Sequence, residues 1–256
     1  NHRIIYVAER HDGIREPVNS LVSVDLANAG KVTTITSGAD FYSSPAISPD
    51  GESIAWIQWN HPNMPWDSTQ LCIADLEENG IQNARKILGE GESICHPNWS
   101  PSGVLHYVSD LSGWWNIHKY ENGVSHNLTP IDAEFTQAQW GLGVRFYDFI
   151  NDSQIICSYN KSGFWQIGLL DTTTFHLSEI DTVPQITEIN RSGLKANNGK
   201  ALFGGGSTDT SYTLYLYQPG DARKLKKIQE STRNEIGSVH FSKPHPVKYL
   251  TSDEQE

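Results

Sequence analysis

The sequence predicts an all-β chain: a β-propeller of four-stranded blades, with about five blades present. Three observations lead there. A turn motif recurs along the chain, strand-like alternation fills the intervals, and helical periodicity is nearly absent. The motif is clearest at Ser44-Pro45-Ala46-Ile47-Ser48-Pro49-Asp50-Gly51, followed by the apolar run Ser53-Ile54-Ala55-Trp56-Ile57. It returns at Pro97-Asn98-Trp99-Ser100-Pro101-Ser102-Gly103, and in weaker form at Ile150-Asn151-Asp152 and Ala196-Asn197-Asn198-Gly199. With Asp50, Ser102, Asp152 and Asn198 equivalent, the steps are 52, 50 and 46 residues.

Each copy has a physical logic. Proline presets φ at the first turn position, and Asp or Asn with Gly completes a tight reversal between two strands. A further alternating strand follows in each unit, such as Gln70-Leu71-Cys72-Ile73-Ala74 or Trp165-Gln166-Ile167-Gly168-Leu169. A short polar strand closes the unit, as at Val124-Ser125-His126-Asn127-Leu128. Four strands per repeat is the size of a propeller blade. The blades parse as residues 1–42, 43–92, 93–135, 136–183 and 184–232. Residues 1–241 are read as propeller, and 242–256 as the start of a linker toward a further domain. A last strand is expected to begin near Gly237. The opening run Asn1-His2-Arg3-Ile4-Ile5-Tyr6 is already strand-like, so the chain is read as starting inside a larger propeller.

Composition narrows the function. The 256 residues carry 30 acidic against 19 basic side chains, a formal charge of −11 that would repel a phosphate backbone; no nucleic-acid partner is expected. No run approaches the roughly 18 apolar residues of a membrane span, so no membrane partner is expected either. Cys72, Cys95 and Cys157 are odd in number and widely spaced, which reads as buried thiols in a cytoplasmic chain. Five N-x-S/T triplets, at Asn98, Asn127, Asn151, Asn160 and Asn190, bear on a secreted chain alone.

Catalytic motifs are missing. Four G-x-S fragments, at Ser53, Ser93, Ser125 and Ser207, lack the second glycine of a nucleophile elbow and sit in strands or loops of the repeat. His96, His106, His118 and His126 have no metal-ligand spacing and read as exposed or hydrogen-bonded strand residues. Gly204-Gly205-Gly206-Ser207 has neither the lysine nor the helix of a phosphate loop. No catalytic residue, metal or cofactor is expected in this chain.

One segment is unusual. Trp59-Asn60-His61-Pro62-Asn63-Met64-Pro65-Trp66-Asp67 is longer than a hairpin needs, and concentrates two Pro, two Trp, a His and the sole Met. Either it packs on itself as a cap, or it presents His61, Met64, Trp66 and Asp67 to a partner domain or substrate. Trp115 and Trp140 are weaker candidates, since strand tryptophans belong mostly to cores. Glu134 and Arg145 place charge beside aromatics and are candidates for the same cavity.

The run from His61 to Leu71, directly after an S-P-D-G turn, resembles the propeller of the acylaminoacyl-peptidase-like branch of the prolyl oligopeptidase family. Trp99-Ser100-Pro101-Ser102-Gly103, Gly113-Trp114-Trp115-Asn116, Leu128-Thr129-Pro130, Gln139-Trp140 and Gly168-Leu169-Leu170-Asp171 are similar to that family in the same order. Ser242-Lys243-Pro244-His245-Pro246-Val247 looks like its crossover into an α/β-hydrolase domain. The resemblance implies a non-catalytic domain that gates peptide access to a serine peptidase. The catalytic Ser, Asp and His would lie beyond Glu256, and the hydrolase domain is the implied partner. Open blade edges would allow self-association. The alternative is a stand-alone propeller like those of the Tol system, serving as a protein-binding scaffold; it shares the S-P-D-G turns.

Overall fold

The repeated turns close as their residues dictate. In the computed structural model, Gly51 N–H donates to Ser48 O at 2.9 Å, with Gly51 at φ 80°. Asp50 Oδ1 accepts from Ser48 Oγ at 2.5 Å and from Glu52 N–H at 3.0 Å. The next copy repeats the scheme: Gly103 N–H donates to Ser100 O at 2.9 Å, and Val104 N–H to Ser100 Oγ at 2.9 Å. Small oxygens before a left-handed glycine fix these reversals. Asn122-Gly123, Ser162-Gly163 and Asn198-Gly199 have positive φ at both positions, as the twist of a two-residue hairpin requires.

The structure describes residues 2–27, 30–78, 80–180, 186–189, 193–219, 225–232, 240–247 and 249. The last strand expected near Gly237 lies outside them. Five antiparallel sheets follow one another along the chain. The first is β1 (Arg3–Arg10), β2 (Val18–Asp25) and β3 (Lys31–Ser37). The second is β4 (Phe41–Ile47), β5 (Ser53–Trp59), β6 (Gln70–Glu77) and β7 (Gly80–Leu88). The third is β8 (Ile94–Trp99), β9 (Leu105–Ser109), β10 (Asn116–Glu121) and β11 (Val124–Asn127). The fourth is β12 (Tyr147–Asn151), β13 (Gln154–Lys161), β14 (Phe164–Asp171) and β15 (Leu177–Glu179). The fifth is β16 (Glu188–Ile189), β17 (Lys195–Asn197), β18 (Lys200–Gly206), β19 (Thr213–Tyr217) and β20 (Leu225–Glu230), with β16 and β17 both pairing β18. Each sheet is an up-and-down meander, which is a propeller blade. Among the described residues no strand is replaced by an α-helix, and no helix is long and apolar enough to cross a membrane.

The cores lie between blades, because the second, third and fourth sheets each bury both faces against their neighbours. Leu21 of the first sheet packs with Tyr42, Ile54 and Trp56 of the second. Ala55, Ile57 and Leu71 pack with Ile94, Leu105 and Tyr107 of the third. Val108, Ile117 and Phe135 join Tyr147, Ile155 and Cys157, while Ile156 and Ile167 join Phe203 and Tyr215. Alternating residues therefore serve alternate seams. The three cysteines are free and buried in these seams. The strand histidines His96, His106 and His118 are buried, because both faces of their strands are covered. His106 Nδ1 lies 3.0 Å from Val104 O and His118 Nδ1 lies 3.2 Å from Ser125 Oγ, the hydrogen-bonded strand residues expected; His96 is the correction, since it is buried and neither of its ring nitrogens has a partner among the described residues.

The two ends of the blades differ. One end carries the tight turns at Asp50-Gly51 and Ser102-Gly103. The other carries the long connections: 60–69 between β5 and β6, 110–115 between β9 and β10, and 128–146 between β11 and β12.

Candidate functional site

Loop-end side chains from the second, third and fourth blades converge on one cleft. Trp66, Asp110, Gly113, Trp115, Glu134, Ala138 and Trp140 line a cavity of about 370 Å³. The rings of Trp66 and Trp140 lie 4.4 Å apart and are tilted by 44°. Trp140 is 71% exposed, a large apolar surface in water.

Backbone pins hold the walls. The loop bearing Trp66 is fixed at its end by Thr69, whose Oγ1 donates to Ile94 O at 2.7 Å and accepts from Ile94 N–H at 2.6 Å. Ser93 Oγ donates to Pro65 O at 2.8 Å. The opposite wall is held by Glu134, whose peptide forms a reciprocal pair with Asn160, both bonds 2.9 Å. Phe135 N–H donates to Trp115 O at 2.8 Å, and Phe135 is fully buried behind the cleft.

Two carboxyl groups sit in the cleft without a cation among the described residues. Asp110 Oδ1 accepts from Ser93 N–H at 2.7 Å; Glu134 Oε2 accepts from Trp115 N–H at 2.8 Å. Burial raises the pKa of both. The Ser93 N–H opposes the rise at Asp110; at Glu134 the Trp115 N–H opposes it and the charge of Asp110 adds to it. The indole Nε1–H of Trp115 is shielded from water and has no acceptor among the described residues. An uncompensated buried donor of this kind costs about 1–3 kcal/mol.

The candidates named from the sequence fall into two groups. Trp66, Trp115, Glu134 and Trp140 meet in the cleft. Asp67 instead shapes its own loop, where Oδ2 accepts from Met64 N–H at 2.8 Å. Met64 is 44% exposed beside it. His61 turns away: its ring meets Phe41 edge-on at 5.0 Å, and its backbone N–H donates to Asp40 Oδ2 at 2.9 Å. Arg145 lines a separate cavity of about 320 Å³ with Ser44, Pro45, His96, Asn98 and Tyr147. Asp110 was not among the sequence candidates. Its position directly after the strand Leu105–Ser109 gives it the appearance of a turn residue.

Among the described residues, a Ser–His contact lies outside the cleft. His118 Nδ1 faces Ser125 Oγ, but His118 Nε2 has no partner among the described residues, so none of their carboxylates orients the ring as a hydrolytic triad requires.

Comparison with known proteins agrees with the fold. The family Gmad1, the lipoprotein LpqB β-propeller domain, matches residues 19–139. Among solved structures, a Mycobacterium tuberculosis puromycin-hydrolyzing peptidase superposes with a TM-score of 0.86 at 26% identity, over 95% of this chain and 38% of that one. The chain has the propeller fold of such peptidases. Prolyl oligopeptidase B from Galerina marginata, bound to a 35mer hydrolysis and macrocyclization substrate, superposes on this propeller with a TM-score of 0.73 at 13% identity, over 98% of this chain and 36% of that one. TolB from Acinetobacter baumannii superposes less well, with a TM-score of 0.58 at 16% identity, over 90% of this chain and 52% of that one. The propeller thus spans less than two-fifths of either peptidase chain. No curated protein matches it in sequence.

Proposed function

We propose that the chain is the non-catalytic propeller of a serine peptidase, and that the tryptophan cleft receives peptides on their way to an α/β-hydrolase domain of the same protein. The observation that carries this reading is the cleft: an aromatic, carboxylate-bearing cavity on the long-loop face of a peptidase-like propeller. The segment Lys243–Pro246 supports it, because it lines a cavity with Ser207, Thr208 and Asp209 of the β18–β19 connection, on that same face. A chain continuing from there would meet the cleft side of the propeller rather than the tight-turn side. Likeness to TolB is weaker in fold than to either peptidase, and weaker in sequence than to the Mycobacterium tuberculosis peptidase, and favours a scaffold role less.

The reading gives a direct expectation. Short peptides should change the chain's tryptophan emission on binding, and the exchange of Trp66 and Trp140 for Ala should remove that change. The chain should release no cleavage product, since fold without a nucleophile supplies no chemistry. A titration with no emission change and no heat of binding would end the peptide reading.

We further propose self-association through β1. Among the described residues β1 pairs with β2 alone, so its other edge presents free N–H and C=O groups, with Ile4 and Tyr6 exposed beside them. Sedimentation should show mass rising with concentration, and Tyr6→Lys should suppress the rise. A concentration-independent monomer would remove the edge from consideration.

A further inference from the structure

We propose that the cavity bearing Arg145 binds a small organic acid, with the carboxylate on the Arg145 guanidinium and the hydrocarbon part among apolar walls. The site is independent of the peptide reading and shares no lining residue with the tryptophan cleft. It lies where β4, β8 and β12 open the second, third and fourth blades, with β1 beside them. Charge, shape and backbone chemistry each narrow the ligand.

No acidic side chain lines this cavity, in a chain that has 30 of them. Arg145 is half-buried and has neither a hydrogen bond nor an ion pair among the described residues. Asp148, on the strand that follows, is already engaged. Its Oδ1 accepts from Asn98 Nδ2 at 3.2 Å and from Phe149 N–H at 3.0 Å, and its Oδ2 from Ala196 N–H at 2.9 Å. His96 lines the cavity, but burial keeps its ring neutral, so at pH 7 the walls carry one positive charge. An unmatched guanidinium partly out of water draws an anion, and its planar fork fits a carboxylate through two parallel hydrogen bonds. A phosphate carries close to two charges and would find one cation on the walls, since Lys195 does not line them.

The cavity holds about 320 Å³, at the small end of ligand sites. Ile5, Val7, Pro45, Pro97 and Val144 give it apolar surface, which a bare ion would leave unused. Two of its lining residues are strained alike. Ser44 and His96 hold positive φ, 52° and 51°, each directly before a proline and each at a register shift in the first strand of its blade. They stand 52 residues apart, the step of the turn motif. Bulges of this kind re-aim the backbone and gather at binding sites.

Backbone chemistry separates a free acid from the end of a peptide. An extended peptide gains its affinity by pairing with a strand's N–H and C=O groups. Pro45 and Pro97 have no N–H to give, and the bulges interrupt the ladder at the same points. Ser44 adds a hydroxyl donor to the walls. A carboxylate with a short apolar tail uses the fork, the hydroxyl and the hydrocarbon surface without needing a backbone partner.

The test is calorimetric titration of the 256-residue chain at pH 7 with hexanoate, hexanamide, acetate and N-acetyltrialanine, whose terminal carboxyl is free. Hexanoate should bind at least about tenfold more tightly than hexanamide, the scale of one charge-assisted hydrogen bond. Acetate should also bind at least about tenfold more weakly than hexanoate, since it lacks the carbons that the walls would bury. Arg145→Gln should erase the preference for hexanoate over hexanamide. Val144→Phe, in the connection before β12 and outside every strand, should weaken hexanoate by filling the cavity, and it decides the matter if Arg145→Gln does not fold. Equal binding of hexanoate and hexanamide would overturn the carboxylate assignment. N-acetyltrialanine binding more tightly than hexanoate would overturn the free acid in favour of a peptide end. Hexanoate that fails to bind, or that binds either folded variant as it binds the parent chain, would overturn the site.

Discussion

Lowering the pH from 7.5 to 5.5 is expected to remove about 4 kcal/mol of folding stability, through three histidines of one blade. Burial holds His96 at a pKa of about 3, helped by the positive charge of Arg145. Burial likewise holds His106 at about 4; the Val104 carbonyl opposes it, Lys119 adds to it and Glu121 opposes it. His118 is lowered to about 4 by burial alone. All three are depressed below the ordinary value near 6.5. As pH falls below 6.5 the unfolded chain takes up protons that the folded chain refuses, so stability falls. The loss continues until the folded rings titrate, near pH 4 for His106 and His118 and near 3 for His96. One pH unit below 6.5 costs somewhat over 1 kcal/mol per ring, against a total of roughly 5–15 kcal/mol for a typical domain. The raised acids Asp110 and Glu134 act in the opposite direction, but being partly exposed they offset little. Urea denaturation at a series of pH values would show the slope, and His118→Gln should flatten it by about a third. A midpoint unchanged between pH 7.5 and 5.5 would mean that the rings are solvated in solution.

Gly89→Ala should cost about 3 kcal/mol and disturb the cleft with it. Gly89 follows β7 at φ +108°, where side chains are strained. An added Cβ would also press on the Thr69 carbonyl oxygen and lie 2.7 Å from Gln70 Cα. These are backbone atoms with little freedom, since Thr69 is pinned to Ile94 by two hydrogen bonds and its N–H donates to Glu92 O at 3.0 Å. Thr69 ends the loop that carries Trp66, so the strain should shift one wall of the cleft. Gly113→Ala is the matched control: φ is +87°, but nothing lies within 4 Å of the added carbon, so about 1–2 kcal/mol is expected. Denaturant midpoints of both variants decide it, and equal losses would show that the Thr69 contact yields.

The blades were legible because their information is local. Pro49-Asp50-Gly51 and Pro101-Ser102-Gly103 specify a reversal within four residues, and alternation between such turns specifies strands. The four-stranded repeat and the thiols' place inside the core were therefore readable. The cleft was legible only in pieces. Trp66 was visible as an aromatic in a long loop, Trp115 and Trp140 as strand tryptophans, and Glu134 as a charge beside aromatics, but their meeting depends on blade-to-blade packing, which no stretch of sequence encodes. Asp110 was missed because an acid after a strand, two residues before Ser112-Gly113, has the appearance of turn chemistry. Of the strand histidines only His96 departs from the reading, being buried without a hydrogen-bond partner among the described residues. His106 and His118 lie in strands whose polar residues suggest one solvated face, and it is the neighbouring blades that cover it. His61 and Arg145 resemble the cleft residues in type, and only position sets them apart.

The walls of the cleft descend from separate repeats: Trp66 from the second blade, Trp115 from the third, Trp140 from the connection to the fourth. Each is tied to its own hairpin and meets the others across a seam. Such a site can diversify one wall at a time. A lengthened or rewritten 60–69 loop would alter selectivity without touching the residues that seat Glu134, and the tight turns on the far face would register nothing. Duplicated blades thereby give a lineage of propellers a pocket whose parts are inherited together and varied independently.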